Sequence, residues 1–220
     1  NLVENFGTDI SDMTFLNAVT GYISSCGGIV YRTTNSGISW ITYNTGSSSC
    51  LSSIFFLNSQ TGWVTAETNS VINAVYKTLN GGVNWFLVGF VPGIERCYNI
   101  QFTDNLTGWV AGRKNSNYDG IFFRTTNGGA NWIVTLDAAD IIDDFCFINS
   151  QTGWTVSRGR VYKSTNSGVN WSEQLHAAGL FTTCYFVDLN TGWVQGLSGS
   201  DGIIYKTTNS GFNWSSQTTS

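Results

Sequence analysis

The stretch Tyr205-Lys206-Thr207-Thr208-Asn209-Ser210-Gly211-Phe212-Asn213-Trp214 decides the fold, because the chain contains five copies of it. The shared pattern is an aromatic residue, Arg or Lys, Thr or Ser, any residue, Asn, Ser or Gly, Gly, any residue, Ser or Asn, and Trp. The other copies are Tyr31 to Trp40, Tyr76 to Trp85, Phe123 to Trp132 and Tyr162 to Trp171. The closing Trp residues at 40, 85, 132, 171 and 214 are 45, 47, 39 and 43 residues apart, which indicates a repeat architecture.

Each copy has the chemistry of a tight turn between two strands. Asn35 can hydrogen-bond nearby backbone amides, and Gly37 accepts a positive φ without steric cost. The residues that precede the turn, such as Ile29, Val30 and Tyr31, are β-branched or aromatic, as half-buried strands prefer. The closing Trp can bury about 150–250 Å² of surface, which contributes roughly 4–6 kcal/mol before opposing costs are counted. We therefore expect five hairpins, each anchored by its closing Trp.

A second motif accompanies each turn. Phe15-x-Asn17-x-x-Thr20-Gly21-Tyr22 recurs as Phe56 to Trp63, Phe102 to Trp109, Phe147 to Trp154 and Phe186 to Trp193. With both motifs in view, Thr33-x-Asn35-x-Gly37-x-Ser39-Trp40 resembles the Asp-box (BNR) repeat of several β-propeller families, with Asn in place of Asp in every copy. The pairing of the two motifs is similar to the propeller repeat of photosystem II assembly factors, a type that also occurs in many secreted bacterial proteins. This resemblance covers nearly the whole chain and implies a β-propeller.

The two motifs divide each repeat into four antiparallel strands, A to D. Strand A carries the Phe, strand B begins at the Thr-Gly-Trp turn, strand C leads into the Asn-Gly turn, and strand D begins at the closing Trp. The predicted A strands are Met13–Leu16, Ile54–Leu57, Ile100–Thr103, Phe145–Ile148 and Cys184–Val187. The spacing suits four-stranded blades. We predict one all-β domain over residues 1–220, a five-bladed β-propeller with repeats near 7–46, 47–92, 93–138, 139–177 and 178–220.

Composition narrows the possible functions. The chain has 220 residues, 11% charged and 15% aromatic, with 25 Gly and one Pro, which is typical of a turn-rich β protein. Its net charge of −4 gives no basic surface for nucleic acid. No apolar run approaches the ~20 residues that a membrane span needs. We therefore expect neither a nucleic-acid partner nor a membrane span, and no cofactor.

The cysteines leave two interpretations open. Their spacing lacks the C-x-x-C pattern, so a zinc site is not expected. They are either small buried hydrophobic residues near the propeller axis or, in part, disulfides between neighbouring blades of a secreted protein. An odd number leaves at least one thiol unpaired. The five are Cys26, Cys50, Cys97, Cys146 and Cys184.

The predicted blades separate a uniform face from a variable one. The A–B and C–D turns fall on one face and repeat the same chemistry, whereas the B–C and D–A loops on the other face differ in length. The predicted B–C loops include Glu67–Asn73, Gly112–Gly120, Ser157–Arg160 and Gly196–Gly202, and the D–A loops include Tyr43–Ser52, Val88–Asn99, Leu136–Asp144 and Gln174–Thr183. Binding residues usually lie on variable loops of a rigid scaffold. We therefore expect the ligand at this second face, called the variable-loop face below.

The first residues resemble the end of a strand D whose Trp is missing. Counting back 15 to 17 residues from Phe15, the distance that separates a closing Trp from the next strand-A Phe elsewhere, reaches the start of the sequence. Asn1–Phe6 is therefore either an edge strand that clasps the last blade or the end of a further repeat in a longer array.

Candidate ligand-binding residues come from four predicted loops. Glu95, Arg96 and Tyr98 precede strand A of blade three, and Arg113, Lys114 and Tyr118 lie in its B–C loop. Basic and aromatic side chains together suit a glycan or an acidic peptide, although they are also ordinary loop residues. An acidic D–A loop is either solvated or a Ca²⁺ site without the usual ligand spacing; it contains Asp137, Asp140, Asp143 and Asp144. The predicted ligand-binding set is Glu95, Arg96, Tyr98, Arg113, Tyr118, Asp140, Asp143 and Arg158, with no metal ligand.

One basic position recurs in every strand C, and its role has two interpretations. Repeat-wide recurrence favours a structural or solvated role over an anion-binding ring. The five residues are Arg32, Lys77, Arg124, Lys163 and Lys206.

The sequence contains few features of a catalytic site. His176 is the only histidine, and no G-x-S-x-G motif is present. Sialidases and some endoglucanases carry Asp boxes, and such enzymes need a pair of carboxylates or a Tyr–Glu pair. Asp140 or Asp143 could serve as the acid, and sialidase-like arginines could come from Arg96, Arg113, Arg158 and Arg160. However, the Arg-Ile-Pro start of sialidases is missing, and five blades are one fewer than that fold has.

We therefore predict a non-catalytic binding or scaffold propeller, secreted or displayed at a cell surface, that recognises a protein or a glycan through the variable-loop face. A sialidase-like glycoside hydrolase and a photosystem assembly factor are the alternatives. The chain is either complete or part of a longer repeat protein.

Overall fold

The computed structural model describes residues 6–69, 72–114, 119–138 and 140–217. In these ranges the chain is almost entirely β-structure, with one 3-10 turn at Cys26–Gly28. The strands form five four-stranded antiparallel sheets, each with its strands in chain order. These sheets are five blades of a β-propeller, as predicted. No helix in the described ranges is long and apolar enough to cross a membrane.

The strands follow the predicted A–B–C–D order in every blade. Blade one contains β1 (Ile10–Phe15), β2 (Gly21–Ser25), β3 (Ile29–Thr33) and β4 (Ile41–Asn44). Blade two contains β5 (Leu51–Phe56), β6 (Gly62–Asn69), β7 (Ile72–Thr78) and β8 (Phe86–Pro92), and blade three β9 (Ile94–Phe102), β10 (Gly108–Lys114), β11 (Gly120–Thr125) and β12 (Ile133–Asp137). Blade four contains β13 (Ile142–Phe147), β14 (Gly153–Ser157), β15 (Arg160–Ser164) and β16 (Ser172–His176). Blade five contains β17 (Leu180–Phe186), β18 (Gly192–Ser198), β19 (Asp201–Thr207) and β20 (Ser215–Gln217).

The predicted strand bounds were wrong at two places in each blade. Strand A begins earlier and ends at the Phe, so β5 spans Leu51–Phe56 rather than Ile54–Leu57. Strand D begins after the closing Trp rather than at it, as β8 does at Phe86. The reason is visible at Trp85, whose indole N–H donates to the carbonyl of Gly82 at 2.9 Å and so belongs to the turn.

The turn between strands C and D has the predicted chemistry. In blade one, Asn35 Oδ1 accepts the backbone N–H of Ser39 at 3.0 Å, and Thr33 Oγ1 accepts that of Gly37 at 2.9 Å. Gly37 has a φ of 81°. Since this lies in the left-handed region, glycine is the residue that fits without strain. The same hydrogen bonds recur in the other four blades.

Stacked aromatic rings join consecutive blades. Tyr22 or Trp at the start of strand B in one blade stacks on the strand-A Phe of the next blade, with ring centroids 3.5–3.7 Å apart. The same Phe meets the closing Trp of its own blade edge-on, as Phe147 meets Trp171 at 5.9 Å. We call each such contact a stacked joint. The four pairs are Tyr22–Phe56, Trp63–Phe102, Trp109–Phe147 and Trp154–Phe186.

In blades one to four, the closing Trp, predicted to anchor each hairpin, is less buried than the aromatic residue at the start of strand B. Trp63, Trp109 and Trp154 of the B strands are fully buried, because they lie between two sheets. Of the closing Trp residues, Trp132 is buried and the other four are half-buried, since these side chains lie at the rim of the blade. The main apolar anchors are therefore contacts between blades rather than within them.

The recurring basic residue of strand C has contacts that support its structural interpretation. Lys77 lies 4.6 Å above the Trp63 ring, and Lys163 lies 5.3 Å from that of Trp154. Lys163 also donates to the carbonyl of Ser210 in the next blade at 3.0 Å. Burial lowers the pKa of both lysines. These ammonium groups therefore bridge neighbouring blades.

The A strands of consecutive blades pack against one another and are linked by half-buried polar groups. Asp144 Oδ1 accepts the amide N–H of Asn99 at 2.8 Å, and its Oδ2 accepts the hydroxyl of Thr183 at 2.7 Å. Asp12 makes the equivalent contact with Ser53 at 2.8 Å. Asp144, predicted as part of an acidic loop, thus ties blade four to blades three and five.

The predicted N-terminal strand lies almost wholly outside the described residues, which begin at Phe6. The Phe6 ring packs edge-on against Tyr31 at 4.7 Å and Trp40 at 5.9 Å. The Phe6 carbonyl accepts the Tyr31 hydroxyl at 2.7 Å. These contacts attach the start of the described chain to blade one.

Candidate ligand-binding cleft on the variable-loop face

The rim opposite the variable-loop face is closed by its own hydrogen bonds. In blade one the backbone N–H of Ser36, in the C–D turn, donates to the carbonyl of Val19, in the A–B turn, at 3.0 Å. The equivalent bond occurs in each of the other blades: Gly81–Gln60, Gly128–Leu106, Ser167–Gln151 and Ser210–Asn190. The two kinds of turn therefore hold each other, and this rim repeats one arrangement five times.

Strand A of every blade contains a β-bulge near the variable-loop face. In each case one residue, four positions before the repeat Phe, has no partner on strand B. A bulge redirects a side chain away from the regular alternation of the strand. All five side chains are at least partly exposed. We call them the bulge residues: Ser11, Ser52, Tyr98, Asp143 and Thr182.

Glycine on strand B accommodates two of these bulges. Gly112 pairs with Cys97, beside the bulge at Tyr98. A Cβ atom on Gly112 would lie 2.0 Å from the carbonyl oxygen of Arg96. Gly196 has the same role in blade five, where a Cβ would lie 1.8 Å from the Leu180 carbonyl oxygen. At both positions any larger residue would push strand A away.

A cleft of about 500 Å³ opens where the A strands of blades one, two and three begin. Three bulge residues, Ser11, Ser52 and Tyr98, contribute to its wall. The remaining lining residues are Asp9, Ile10, Cys26, Cys50, Leu51, Glu67, Arg96 and Cys97. The cleft is therefore polar, with one aromatic ring and charges of both signs.

Arg96 and Glu67 form an ion pair across the cleft between blades three and two. Arg96 Nε lies 3.4 Å from Glu67 Oε1, and the Arg96 side chain is 60% exposed. Exposed pairs of this kind contribute only about 0–1 kcal/mol. A ligand can therefore replace this contact at little cost, which makes both charges available for recognition.

A disulfide between Cys26 and Cys50 forms part of the cleft wall and links blade one to blade two. Behind it, the Gly28 carbonyl accepts the backbone N–H of Thr45 at 2.9 Å, and the Gly28 N–H donates to the backbone carbonyl of Ser49 at 2.8 Å. The disulfide and these backbone hydrogen bonds therefore hold this side of the cleft in place.

The other cysteines follow the first of the two predicted interpretations. Cys97 and Cys184 are buried thiols, and Cys146 is half-buried. Burial raises the pKa of Cys97 to about 12. A hydrogen bond with Cys146, together with burial, raises the pKa of Cys184. Each interpretation thus holds for part of the set.

Glu95, Arg96 and Tyr98 were predicted in a D–A loop, and this was wrong. All three lie within β9, because β8 and β9 continue to a single turn residue, Gly93, with a φ of 71°. Val91 and Ile94 on either side of that turn are fully buried, so the two strands extend together over apolar surface.

Two further predicted residues of blade three pair with each other. Arg113 Nη2 lies 2.9 Å from Glu95 Oε1, and both side chains are mostly buried. Lys114 forms an ion pair with Asp137 beside them. None of these four side chains lines the cleft. Tyr118, the remaining predicted residue of this blade, lies outside the described residues.

The acidic residues of blade four form a separate group. Burial raises the pKa of Asp143 to about 6, against the opposing charge of Arg158, and Asp144 raises it further. The Asp140 carbonyl accepts the backbone N–H of Gly120 at 3.1 Å. In the described part of the chain, no three His, Cys, Asp or Glu side chains converge as a metal site. Of the predicted set, the cleft therefore brings together only Arg96 and Tyr98.

The prediction missed most of the residues that line the cleft. Asp9 and Glu67 are charged neighbours of Arg96 there, and Ser11 and Ser52 are bulge residues. A signal was present in the sequence: the position four residues before the repeat Phe mixes hydroxyl, aromatic and acidic side chains, as Ser, Ser, Tyr, Asp and Thr, whereas the position before it is always apolar and the position after it always small and polar. Aligning the five copies on the Phe shows this variation.

The structure resembles several solved propellers. YCF48 bound to D1 peptide matches 94% of this chain and 66% of its own, with a TM-score of 0.68 and 20% identity. YCF48 from Cyanidioschyzon merolae matches 96% and 85%, with a TM-score of 0.62 and 13% identity. The GH74 enzyme of Niastella koreensis matches 94% and 38%, with a TM-score of 0.75 and 15% identity.

At these identities the similarity shows the β-propeller fold alone. The chain spans 66% of the peptide-bound YCF48 chain and 38% of the GH74 chain. No protein-family model matches the sequence, and no curated protein matches it.

Proposed function

We propose that this chain is a non-catalytic binding propeller that takes an extended segment of another protein into the cleft on its variable-loop face. The observation that carries the proposal is the cleft of about 500 Å³, to which three redirected side chains contribute. Tyr98 offers a rigid aromatic surface, and tyrosine is common among residues that dominate binding energy. Arg96 and Glu67 offer both charges at its rim.

A peptide suits this cleft better than a compact ligand. Polar side chains from three neighbouring blades lie along it in a row, Ser11, Ser52 and Tyr98. Such a row can meet successive residues of an extended chain. The similarity to YCF48 bound to D1 peptide supports the same ligand class, because that relative binds a peptide on a similar scaffold. A glycan remains the second ligand class, and a role in photosystem assembly is the more specific form of the peptide proposal.

Two carboxylates of the A strands, Asp12 and Asp144, are committed to structural contacts. Both oxygens of Asp144 accept hydrogen bonds that join blades, and Asp12 Oδ2 accepts two from blade two. Glycoside hydrolysis needs two carboxyl groups that face one bond of the substrate. His176 is 60% exposed on β16, and its Nδ1 lies 3.8 Å from Glu173 Oε1. Asp12 and Asp144 are therefore not free to act as such a pair, which favours a binding role for this part of the molecule.

We also propose that the protein works in an oxidising compartment, outside the cell or at its surface. The disulfide between Cys26 and Cys50 supports this, because stable disulfides form mainly in such compartments.

The test is selection of peptides from a random display library on the immobilised protein, with the D1 peptide as an additional probe. Binding of an enriched peptide is then measured by fluorescence anisotropy. We expect Tyr98→Ala and Arg96→Ala each to weaken it by about tenfold or more. Phe212→Ala, which removes an exposed aromatic ring from the opposite rim, is the matched control and leaves binding unchanged.

Three results contradict the proposal. Enriched peptides that bind the Tyr98→Ala and Arg96→Ala proteins normally place the site elsewhere. Binding on a glycan array that free sugar competes, without peptide binding, makes the ligand a glycan. Release of reducing sugar from xyloglucan or from a panel of fluorogenic glycosides makes the protein an enzyme.

A further inference from the structure

The first blade exposes apolar side chains that every other blade buries. Phe15 is 43% exposed, whereas the Phe at the same repeat position is at most 4% exposed in blades two to five. Met13 is 58% exposed, and its equivalents in the other four blades are buried. These two side chains lie on the face of blade one that corresponds to the face blades two to five pack against the preceding blade. We call it the leading face.

The fifth blade exposes the complementary set. Trp193 is partly exposed, whereas Tyr22, Trp63, Trp109 and Trp154 at the same position are fully buried. Ile204 is 43% exposed, and its equivalents Val30, Val75, Phe122 and Val161 are fully buried. With Tyr185, Thr183 and Gln195, these side chains surround a shallow depression of about 240 Å³. We call this the trailing face of blade five.

The two faces are the halves of one stacked joint. In every existing joint, a strand-B aromatic ring on the trailing face of one blade stacks on the strand-A Phe on the leading face of the next. Trp193 and Phe15 are the same two residues without a stacking partner among the described residues. The A strands of consecutive blades pack together, but no comparable packing joins β17 to β1 in the described chain.

We propose that these faces dock further blades of the same repeat, in the same polypeptide, which complete the ring between blade five and blade one. The incoming blades must offer a strand-A Phe to Trp193 and a strand-B Trp or Tyr to Phe15. Lys206 lies 5.3 Å from the Trp193 ring, as Lys163 does from that of Trp154. Since Lys163 bonds the turn of the next blade, Lys206 offers the same donor to a blade after the fifth.

Continuity with the existing joints favours blades of the same chain. All four joints connect blades that are consecutive along the polypeptide. The similar YCF48 chains extend beyond the matched region by a minority of their length, since this chain covers 66% and 85% of them. That remainder has room for about two blades at most, whereas a second copy would add five. Exposed apolar patches of this kind mark interaction sites.

The test compares the present chain with one extended at its C-terminus by a copy of blade three, residues 93–138. Both chains carry Ala in place of the free Cys97, Cys146 and Cys184, so that Tyr185→Cys is the single thiol probe. It reports on the trailing face, because Tyr185 is 65% exposed there. Maleimide labelling of this thiol should slow by about tenfold or more in the extended chain, as expected for a group moved from solvent into a packed joint. Ile133→Cys, at an exposed position on strand D, is the control and should label equally fast in both chains.

Other outcomes overturn the proposal. Equal labelling of Tyr185→Cys in both chains means that the trailing face does not accept a blade. Protection of this thiol in the dilute, monomeric 220-residue chain means that the ring closes on itself. Protection that appears only with self-association, measured by sedimentation equilibrium and abolished by Trp193→Ala, makes a second copy the occupant.

A second measurement does not depend on the folding of the extended chain. The coding sequence on both sides of this stretch should contain at least one further repeat with the Thr-Gly-Trp and Asn-x-Gly-x-x-Trp signatures. Flanking sequence without such a repeat on either side overturns the proposal.

Discussion

Trp109 and Phe147 lie face to face across the joint between blades three and four, with ring centroids 3.6 Å apart and planes within 5° of parallel. The Trp109 indole N–H also donates to the carbonyl of Ser167 in blade four at 2.8 Å. Trp109 thus buries its ring against the neighbouring blade and pairs its N–H with a carbonyl of that blade. Because such contacts cross between blades, each sheet depends on the next for its burial.

The first prediction concerns this stack. Phe147→Ala removes a buried ring that contacts Trp109 and Trp171, so we expect a loss of about 3–5 kcal/mol in the free energy of unfolding. Urea denaturation followed by circular dichroism measures it. Phe15→Ala makes the same change at the same repeat position, where the ring is 43% exposed and has no stacking partner in the described chain. It should cost well under half as much, and equal losses would contradict the importance of the joint.

The second prediction concerns the Cys26–Cys50 disulfide. It closes a loop with a sequence separation of 24 residues. A loop of this length should stabilise the fold by about 3 kcal/mol, chiefly through the entropy of the unfolded chain. The double variant C26S/C50S should therefore unfold at lower urea concentration. Reductant should shift the wild-type protein equally and leave the double variant unchanged; a further shift in the variant would assign the effect elsewhere.

The fold was predictable because its signals are local. Asn35 and Gly37 form their turn through hydrogen bonds within a few residues, and the same letters in five places specify the same turn. The spacing of these turns then fixes four strands for each blade. The strand-C basic residue was given a structural interpretation because it recurs with the repeat, and its contacts with the next blade support that interpretation.

The site was predictable only in part because its causes are not local. Nothing near Cys26 in the sequence selects Cys50 as its partner; the blade-to-blade contact does. The bulge at Tyr98 is a backbone feature of strand A: it forms beside Gly112 here, but equally beside Ala66 in blade two, so no single residue type opposite it signals it. Likewise, which Trp of each repeat is buried depends on the next blade, so Trp109 could not be ranked above Trp132 from composition.

The third prediction tests the close packing between Gly112 and β9 beside the bulge. A Cβ on Gly112 would lie 2.0 Å from the Arg96 carbonyl oxygen and 2.6 Å from the Ile94 side chain, so Gly112→Ala must displace β9. We expect a loss of about 1–3 kcal/mol, as for other overpacked sites, and weaker peptide binding at Tyr98. Gly202→Ala is the control, because no atom lies within 4 Å of its added Cβ. Thermal unfolding and the anisotropy assay measure the two effects.

The fourth prediction concerns Asp143, whose pKa burial raises to about 6 in the folded protein. Because the unfolded carboxyl titrates near 3.9, the folded state holds this proton more tightly. The resulting stability is fully present below pH 4 and is lost as the pH rises through 6. Asp143→Asn should therefore be more stable than wild type at pH 8, by about 1 kcal/mol after discounting for partial exposure, and equal to it near pH 4.

Asp188 is the control for Asp143, because its pKa is shifted in the opposite direction. Hydrogen bonds from the backbone N–H groups of Asn190 and Thr191 lower the pKa of Asp188. Its stabilising effect is therefore present above the unfolded pKa and lost in acid. Urea denaturation of Asp143→Asn and Asp188→Asn between pH 3 and 8 should give wild-type-minus-variant differences with opposite slopes. A flat difference for Asp143→Asn would mean that its carboxyl is solvated in the folded protein, and that this bulge residue projects fully into water.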